Sequence, residues 1–364
     1  MQPQKYLKQL IDPFLKTGRT KEIFTYNPAI QEVRKDAEKV VIEVYNYNGQ
    51  MLEENSLGKI RETLRFRDDT KITWINIEGI CKNDVEQIAA HYGIHNLLVE
   101  DILSTGQRPK MDDIDGILFC LLNMLYFNEQ YGSVEQEQVS IAFGENYVIT
   151  FQEDEHRDVF NIIREKLKLN SSKIRQRGAD YLCYSLLDMI VDHYFEVMDK
   201  LGERIEMLEE EIIRARNKRP LAQLNALRKE MIVLKRNVVP VRDIINGLIR
   251  SESPLLDPNN DKYFKDVYDH IMQANDAAEN YRDILSNLQD LYISQVNLKM
   301  NEVMKVMAMV TCLLAPGTVI GGIFGMNFEV IPIAHQYWGF YITVGIMLVI
   351  PIIMLVIFKR RGWF

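Results

Sequence analysis

Two sets of polar residues stand out. One is the stretch GGIFGMNFEVIP (321–332), where an amide, Asn327, and an acid, Glu329, stand among apolar residues and glycine. A neutral amide oxygen can hydrogen-bond the water around a small divalent ion without stripping it. A ring of carboxylates would bind more tightly and release more slowly. Glu329 would gather cations by long-range attraction. The other is a set of acids far upstream, Glu100, Asp101, Asp188 and Asp266, for which the residues alone show no shared role. Taken alone, Glu100-Asp101 reads as an exposed pair and Asp188 as an interface contact. Asp266 and His270 form an i,i+4 pair on a solvated helix face.

Two uncharged runs flank the first group. From Val306 to Phe358 there is no Lys or Arg, and Glu329 is the single acid. Residues 306–324 and 338–358 are each long enough to cross a hydrocarbon layer of ~30 Å. Lys299 and Lys305 precede the first run, Lys359, Arg360 and Arg361 follow the second, and the connection has neither Lys nor Arg. The positive-inside bias therefore puts both termini in the cytoplasm and the connection outside. The first eighteen residues lack the apolar core of a signal peptide. The expected location is the cell (inner) membrane, with two spans.

Upstream of the spans, 1–175 mixes strand and helix signals and reads as an α/β cytosolic domain. Strands are expected in KVVIEVYNYNGQ (39–50), which ends in an Asn48-Gly49 turn, and in KITWINIEGI (71–80). VSIAFGENYVITFQ (139–152) reads as a hairpin about Gly144-Glu145-Asn146. Helices are expected over 83–93, capped by Asn83 or Asp84, and over 159–170. Residues 176–258 have helical spacing in two stretches and read as an antiparallel pair, with Pro240 a candidate kink. From Asn259 to Ala315 there is neither Gly nor Pro. A helix of that length would span roughly 85 Å. It divides into a stalk, 259–302, and a first membrane helix, 303–324. A loop (325–337), a second membrane helix (338–358) and a basic tail (359–364) complete the chain.

Along this long helix Asp290, Asn297, Asn301, Met304, Ala308, Thr311, Ala315 and Thr318 follow a heptad-like spacing and form one seam. The seam is smaller and more polar than its surroundings. It fits either close helix packing in a bilayer or the wall of a water-filled path. Two helices cannot enclose such a path, so a pore would need several copies around an axis. Met304 and Met307 would then form apolar constrictions that gate by dewetting.

The chain of 364 residues carries a net charge of −8, which argues against nucleic acid as partner. Cys81, Cys120, Cys183 and Cys312 form no zinc or redox motif and are expected as buried thiols. No phosphate loop, nucleophile motif or catalytic pair is present, so neither an enzyme nor an organic cofactor is expected.

Gly325-Met326-Asn327 directly after the first span, with Phe328-Glu329 and a second span near the C-terminus, resembles the CorA family of magnesium transport proteins. The resemblance extends to YGIHNLLVEDIL (92–103), QRPK (107–110), RGADYLCYSLLDMIVDHYF (177–195), YFKDVYDH (263–270) and NEVMKVM (301–307). It implies a funnel-shaped homopentamer in the lipid bilayer, with α/β cytosolic domains, long stalk helices and ten membrane helices. It makes Gly325, Met326 and Asn327 the selectivity filter and places Asn301, Met304, Met307, Ala315 and Thr318 in the pore wall. It assigns Glu100, Asp101, Asp188 and Asp266 to regulatory Mg²⁺ bound between subunits. The implied activity is import of hydrated Mg²⁺, with Co²⁺ or Ni²⁺ as further cargo, closed by cytosolic Mg²⁺. A zinc transporter of the same superfamily, coupled to protons, is the alternative; a sensor or scaffold merely anchored in the membrane would need neither the seam nor the loop. Two departures stand out. Phe324 replaces the family's usual Tyr, and Ala315 stands where relatives carry a bulky apolar residue, which shifts the expected gate to Met304 and Met307.

Overall fold

The computed structural model describes residues 34–67, 70–154, 157–214, 220–327, 331, 333 and 336–363. Glu329, residues 1–33 and the 215–219 connection lie outside the described residues. The chain divides into two compact units, one of residues up to 210 with 219–287, the other of 211–218 with 288–364.

The first unit is built on a seven-stranded sheet: β1 (Val41–Tyr47), β2 (Leu52–Leu57), β3 (Ile72–Glu78), β4 (Lys110–Ile114), β5 (Ile117–Asn128), β6 (Ser133–Phe143) and β7 (Tyr147–Gln152). The order is β2-β1-β3-β7-β6-β5-β4. Pairing is antiparallel except between β3 and β7. The expected Asn48-Gly49 turn and 139–152 hairpin are both present. At the first, Asn48 Oδ1 accepts from the backbone N–H of Gln50 and Met51, and Tyr47 pairs with Leu52. That is how an Asn side chain imitates a turn.

The two faces of the sheet are covered by different helices. On one, Ile42, Val44, Ile75, Ile77, Phe119 and Phe151 pack against Val85, Ile88, Leu98 and Ile102 of α1 (Lys82–Tyr92) and α2 (Asn96–Leu103). On the other, Trp74 meets Tyr45 and Phe160. There Asn123 donates to Asn237 Oδ1 at 2.8 Å, and Tyr194 donates to the Asn123 carbonyl at 2.7 Å. These bonds fasten α5 (Ala179–Ile213) and α6 (Pro220–Arg250) to β5, with α3 (Asn161–Lys168) and the short α4 (Lys173–Gln176) leading into them. Burial on both faces explains why β5 reads ILFCLLNML rather than alternating.

Helix α1 corrects an expectation. It begins at Lys82, with Cys81 at the N-cap and no side-chain cap, so neither Asn83 nor Asp84 serves. The exposed Lys82 N–H is instead taken by Asp36 Oδ1 at 2.9 Å. A residue distant in sequence thus satisfies the orphan donor.

The last two helices are α7 (Asp261–Phe324) and α8 (Gly339–Arg360). Helix α7 runs straight through Pro316, Gly317, Gly321 and Gly322 beyond the stretch free of Gly and Pro. Both helices are long and apolar enough to cross a membrane. The thiol expectation holds for Cys120 and Cys183, which are buried. Cys81 is half-buried and Cys312 is exposed, because α7 is mostly uncovered at that height in a single chain.

Candidate functional site

In the first unit the entry into α7 is tied to the start of α5. Buried Asp180 accepts from the Asp257 N–H at 3.0 Å and from Asn260 Nδ2 at 2.8 Å. Asp257 in turn caps the 3₁₀ turn Pro258–Asn260 by accepting from the Asn259 N–H. Tyr181, Tyr184, Tyr263 and Phe264 stack across the same junction. This clamp brings three ligand-bearing side chains together further along, Asp188 and Asp192 from α5 and His270 from α7. Their ligand atoms lie within 4.8 Å of one another. His270 Nδ1 is 3.9 Å from Asp188 Oδ1 and 4.0 Å from Asp192 Oδ1.

These distances are too long for hydrogen bonds. Asp188 Oδ1 and His270 Nδ1 are both buried and have no hydrogen-bond partner among the described residues. Asp188 Oδ2 receives only a long bond from Tyr184 at 3.4 Å. Burial pushes the Asp188 carboxyl above the usual carboxylate range. Asp192 and Asp266 push the same way, and His270 opposes them. A divalent cation would satisfy the orphaned atoms and offset the mutual repulsion. The donor set of two carboxylates and an imidazole fits one; the nitrogen favours Co²⁺ or Ni²⁺ over Mg²⁺, which prefers oxygen.

Of the four acids expected as regulatory ligands, Asp188 joins this cluster. Asp266, exposed and one turn before His270, contributes to its field. Glu100 and Asp101, on α2, are not part of the cluster within one chain. Asp101 is buried, 8% exposed, rather than an exposed pair member. Its Oδ2 is 2.6 Å from Lys110 Nζ, which also reaches Asp112 at 3.2 Å. Burial raises the Asp101 carboxyl, and Lys110 opposes that rise. Glu100 is exposed beside a cavity of about 520 Å³ that also meets Arg34, Lys82 and Glu86. Asp192 and His270 were missed as ligands, although i,i+4 spacing already puts Asp192 beside Asp188 and His270 beside Asp266.

In the membrane-length part of α7, Lys305, Met309, Leu313, Pro316, Gly317 and Ile320 are buried or half-buried. They form one stripe, and it faces α8. A Cβ on the neighbouring Gly321 would sit 3.5 Å from the Met347 methyl. Lys305 Nζ donates to the Gly362 carbonyl at 3.3 Å. Asp290, Asn297, Asn301, Met304, Met307, Thr311, Ala315 and Thr318 are all exposed. At about 100° per residue, the seam's residues from 301 to 318 point away from that stripe. Packing against the chain's own second span is therefore not what keeps the seam small. The Thr311 and Thr318 hydroxyls donate back to the Met307 and Leu314 carbonyls, leaving oxygen lone pairs outward.

At the end of α7 the Gly325 N–H bonds the Gly321 carbonyl at 3.0 Å. A Cβ at Gly325 would lie 3.2 Å from that same oxygen, so glycine lets the last turn close tightly. Met326 and Asn327 follow, both exposed.

A family model described as CorA-like Mg²⁺ transporter protein matches residues 69–360. The chain belongs to the CorA family. This CorA-family chain is 39% identical over 330 residues to the cobalt/magnesium transport protein CorA of Thermotoga maritima, covering 90% of the chain and 94% of that relative. The solved CorA magnesium transporter of Methanocaldococcus jannaschii superposes with a TM-score of 0.72 at 24% identity, over 89% of this chain and 98% of that one. The cytoplasmic domain of ZntB from Vibrio parahaemolyticus matches in fold with a TM-score of 0.51 at 16% identity, over 71% of this chain and 98% of that one. Family membership puts the chain among ion transporters and not among enzymes. It accords with the sheet-bearing N-terminal part, the long helix and the two candidate membrane helices.

Proposed function

We propose that the protein is a channel-like importer of hydrated Mg²⁺, with Co²⁺ and Ni²⁺ as further cargo, working as a homopentamer in the cell membrane with both termini cytoplasmic. The observation that carries this reading is the seam from Asn301 to Thr318. It is small and polar, faces away from α8, and is exposed, uncovered by any other element among the described residues. Several copies arranged around an axis would turn it into a pore wall. Asn327 would ring the outer entrance and hold the ion through its water. Met304 and Met307, exposed on this side of α7, would provide the apolar constriction.

In the cytosolic part Asp188, Asp192, His270 and Asp266 would hold a regulatory cation, with Glu100 and Asp101 offered by a neighbouring copy. Bare carboxylates repel across a subunit boundary, and a bound divalent ion bridges them. Occupancy therefore favours the tightly associated, closed state. The test is ion flux in proteoliposomes with Mg²⁺, Co²⁺ and Zn²⁺, with and without a proton gradient. Mg²⁺ uptake independent of the gradient is expected. Zn²⁺ uptake without Mg²⁺ uptake would overturn the reading in favour of a proton-coupled zinc transporter.

A further inference from the structure

Arg108, in the QRPK stretch (107–110), has no part in the ion path or the cation cluster, yet it lines a large groove of the first unit. This groove, of about 820 Å³, lies along α6 and α7. Its floor is apolar, with Met231, Ile232, Val239, Pro240 and Leu285. Its rim carries Arg108, Arg228, Lys235, Arg236 and Arg282, against a single acid, Asp283. Lys235 is engaged by Glu279 at 2.9 Å and Arg282 by Asp283 at 3.0 Å. Arg108 and Arg228 have no ion-pair partner among the described residues. The groove continues into a second cavity of about 520 Å³ that shares Arg108 and Pro240 and adds Lys110 and Asp243.

An apolar floor beneath a cationic rim selects a ligand with both a flat apolar body and several negative charges. The volume falls in the range of small-molecule sites, roughly 300–1,000 Å³. Guanidinium groups read phosphate oxygens in a two-pronged geometry that an ammonium cannot match. We infer that this groove binds a nucleoside polyphosphate, its base on the Met231–Ile232–Val239 floor and its phosphates on Arg108 and Arg228. A single-phosphate lipid headgroup would leave most of the rim unused, and a purely inorganic anion would leave the floor unused. The assignment does not depend on what the pore conducts.

The test is calorimetric titration of the full-length protein in detergent, in EDTA, with adenosine triphosphate. Adenosine monophosphate, inorganic tripolyphosphate and nanodiscs of phosphatidylglycerol serve as the other probes. Saturable triphosphate binding is expected, at least about tenfold tighter than the monophosphate and than tripolyphosphate, and weakened by added KCl. The double variant Arg108→Ala/Arg228→Ala should weaken it at least about tenfold. Ile232→Trp, which fills the floor from a largely exposed position, should also abolish it with the thermal melt retained. The proposal is overturned by absence of saturable binding, as when a neighbouring copy covers the groove. It is equally overturned by tripolyphosphate binding as tightly as the nucleotide, by displacement of the nucleotide by the lipid, or by wild-type affinity in both variants.

Discussion

Lys110→Met tests whether Asp101 is a metal ligand that its own chain holds in check. In the single chain Lys110 Nζ sits 2.6 Å from Asp101 Oδ2, so a cation arriving at that carboxylate must displace an ammonium. A hydrogen bond to a charged group contributes about 1.5–3 kcal/mol net. Lys110 is 39% exposed, and solvent screening reduces this to about 1–2 kcal/mol. At about 1.4 kcal/mol per tenfold, removing the competitor should lower the Mg²⁺ concentration for closure about five- to thirtyfold. The assay is protection of the full-length protein from chymotrypsin during a Mg²⁺ titration at pH 8. The alkaline pH keeps the Asp101 carboxyl ionised despite the upward push of burial. An unchanged or raised midpoint, with the melting temperature retained, would refute the reasoning and leave Asp101–Lys110 a structural pair.

Three further outcomes are expected. Asp192→Asn combined with His270→Ala should raise the protective Mg²⁺ midpoint at least about threefold, and should raise a Co²⁺ midpoint more, since the imidazole is lost; equal midpoints would remove the cluster from regulation. Asn327→Ala should abolish selective Mg²⁺ uptake in proteoliposomes while leaving the cytosolic melt unchanged, and retained selective uptake would refute its filter role. Glu78 is held at about 7 chiefly by burial, with Asp158 pushing the same way and Arg164 opposing. Because that value lies above the unfolded one, Glu78 favours folding below about pH 4.5, and this contribution fades as pH rises through about 7. Glu78→Gln should therefore flatten the fall in melting temperature between pH 5 and 8, by about 3 °C for each 1 kcal/mol recovered.

Much of the architecture could be read from local pattern. The Asn48-Gly49 turn and the β6–β7 hairpin announce themselves within a short stretch each, and the helix before Pro316 by its long run without Gly or Pro. What stayed hidden depends on contacts between distant parts of the chain. Asp36 supplies the start of α1 from outside the helix, a role that propensity gives to Asn83 or Asp84. Asp180 reads as one more acid in a helical stretch, yet buried it fixes where α7 begins. Asp101 looked exposed because its neighbour Glu100 is, whereas helical geometry turns one outward and the other toward Lys110 and the sheet. Asp188 and His270 are more than eighty residues apart in sequence, and only the Asp180 clamp and the tyrosine stack make them neighbours.

The two ends of α7 present opposite chemical demands, and one uninterrupted helix meets both. Near its start, Asp266 and His270 face a carboxylate pair, where charge accumulates and a cation relieves it. Near its end, charge is absent, and the exposed side offers threonine hydroxyls, alanine and methionine. A site that senses a cation must bind it strongly enough to alter an equilibrium. A site that conducts must release it, which favours neutral oxygens and water. On the proposed function, separating these tasks along one helix would let occupancy at one end bias the packing of the other, provided that packing has two states. Pro316 is where such a second state is cheapest. Its ring leaves the Cys312 carbonyl without a helical partner, so bending there costs less than elsewhere in the span. Pro316→Ala should restore that bond and stiffen the span. Mg²⁺ would still protect the cytosolic part at its usual midpoint, while ion flux would change. Unchanged flux would place the moving element elsewhere.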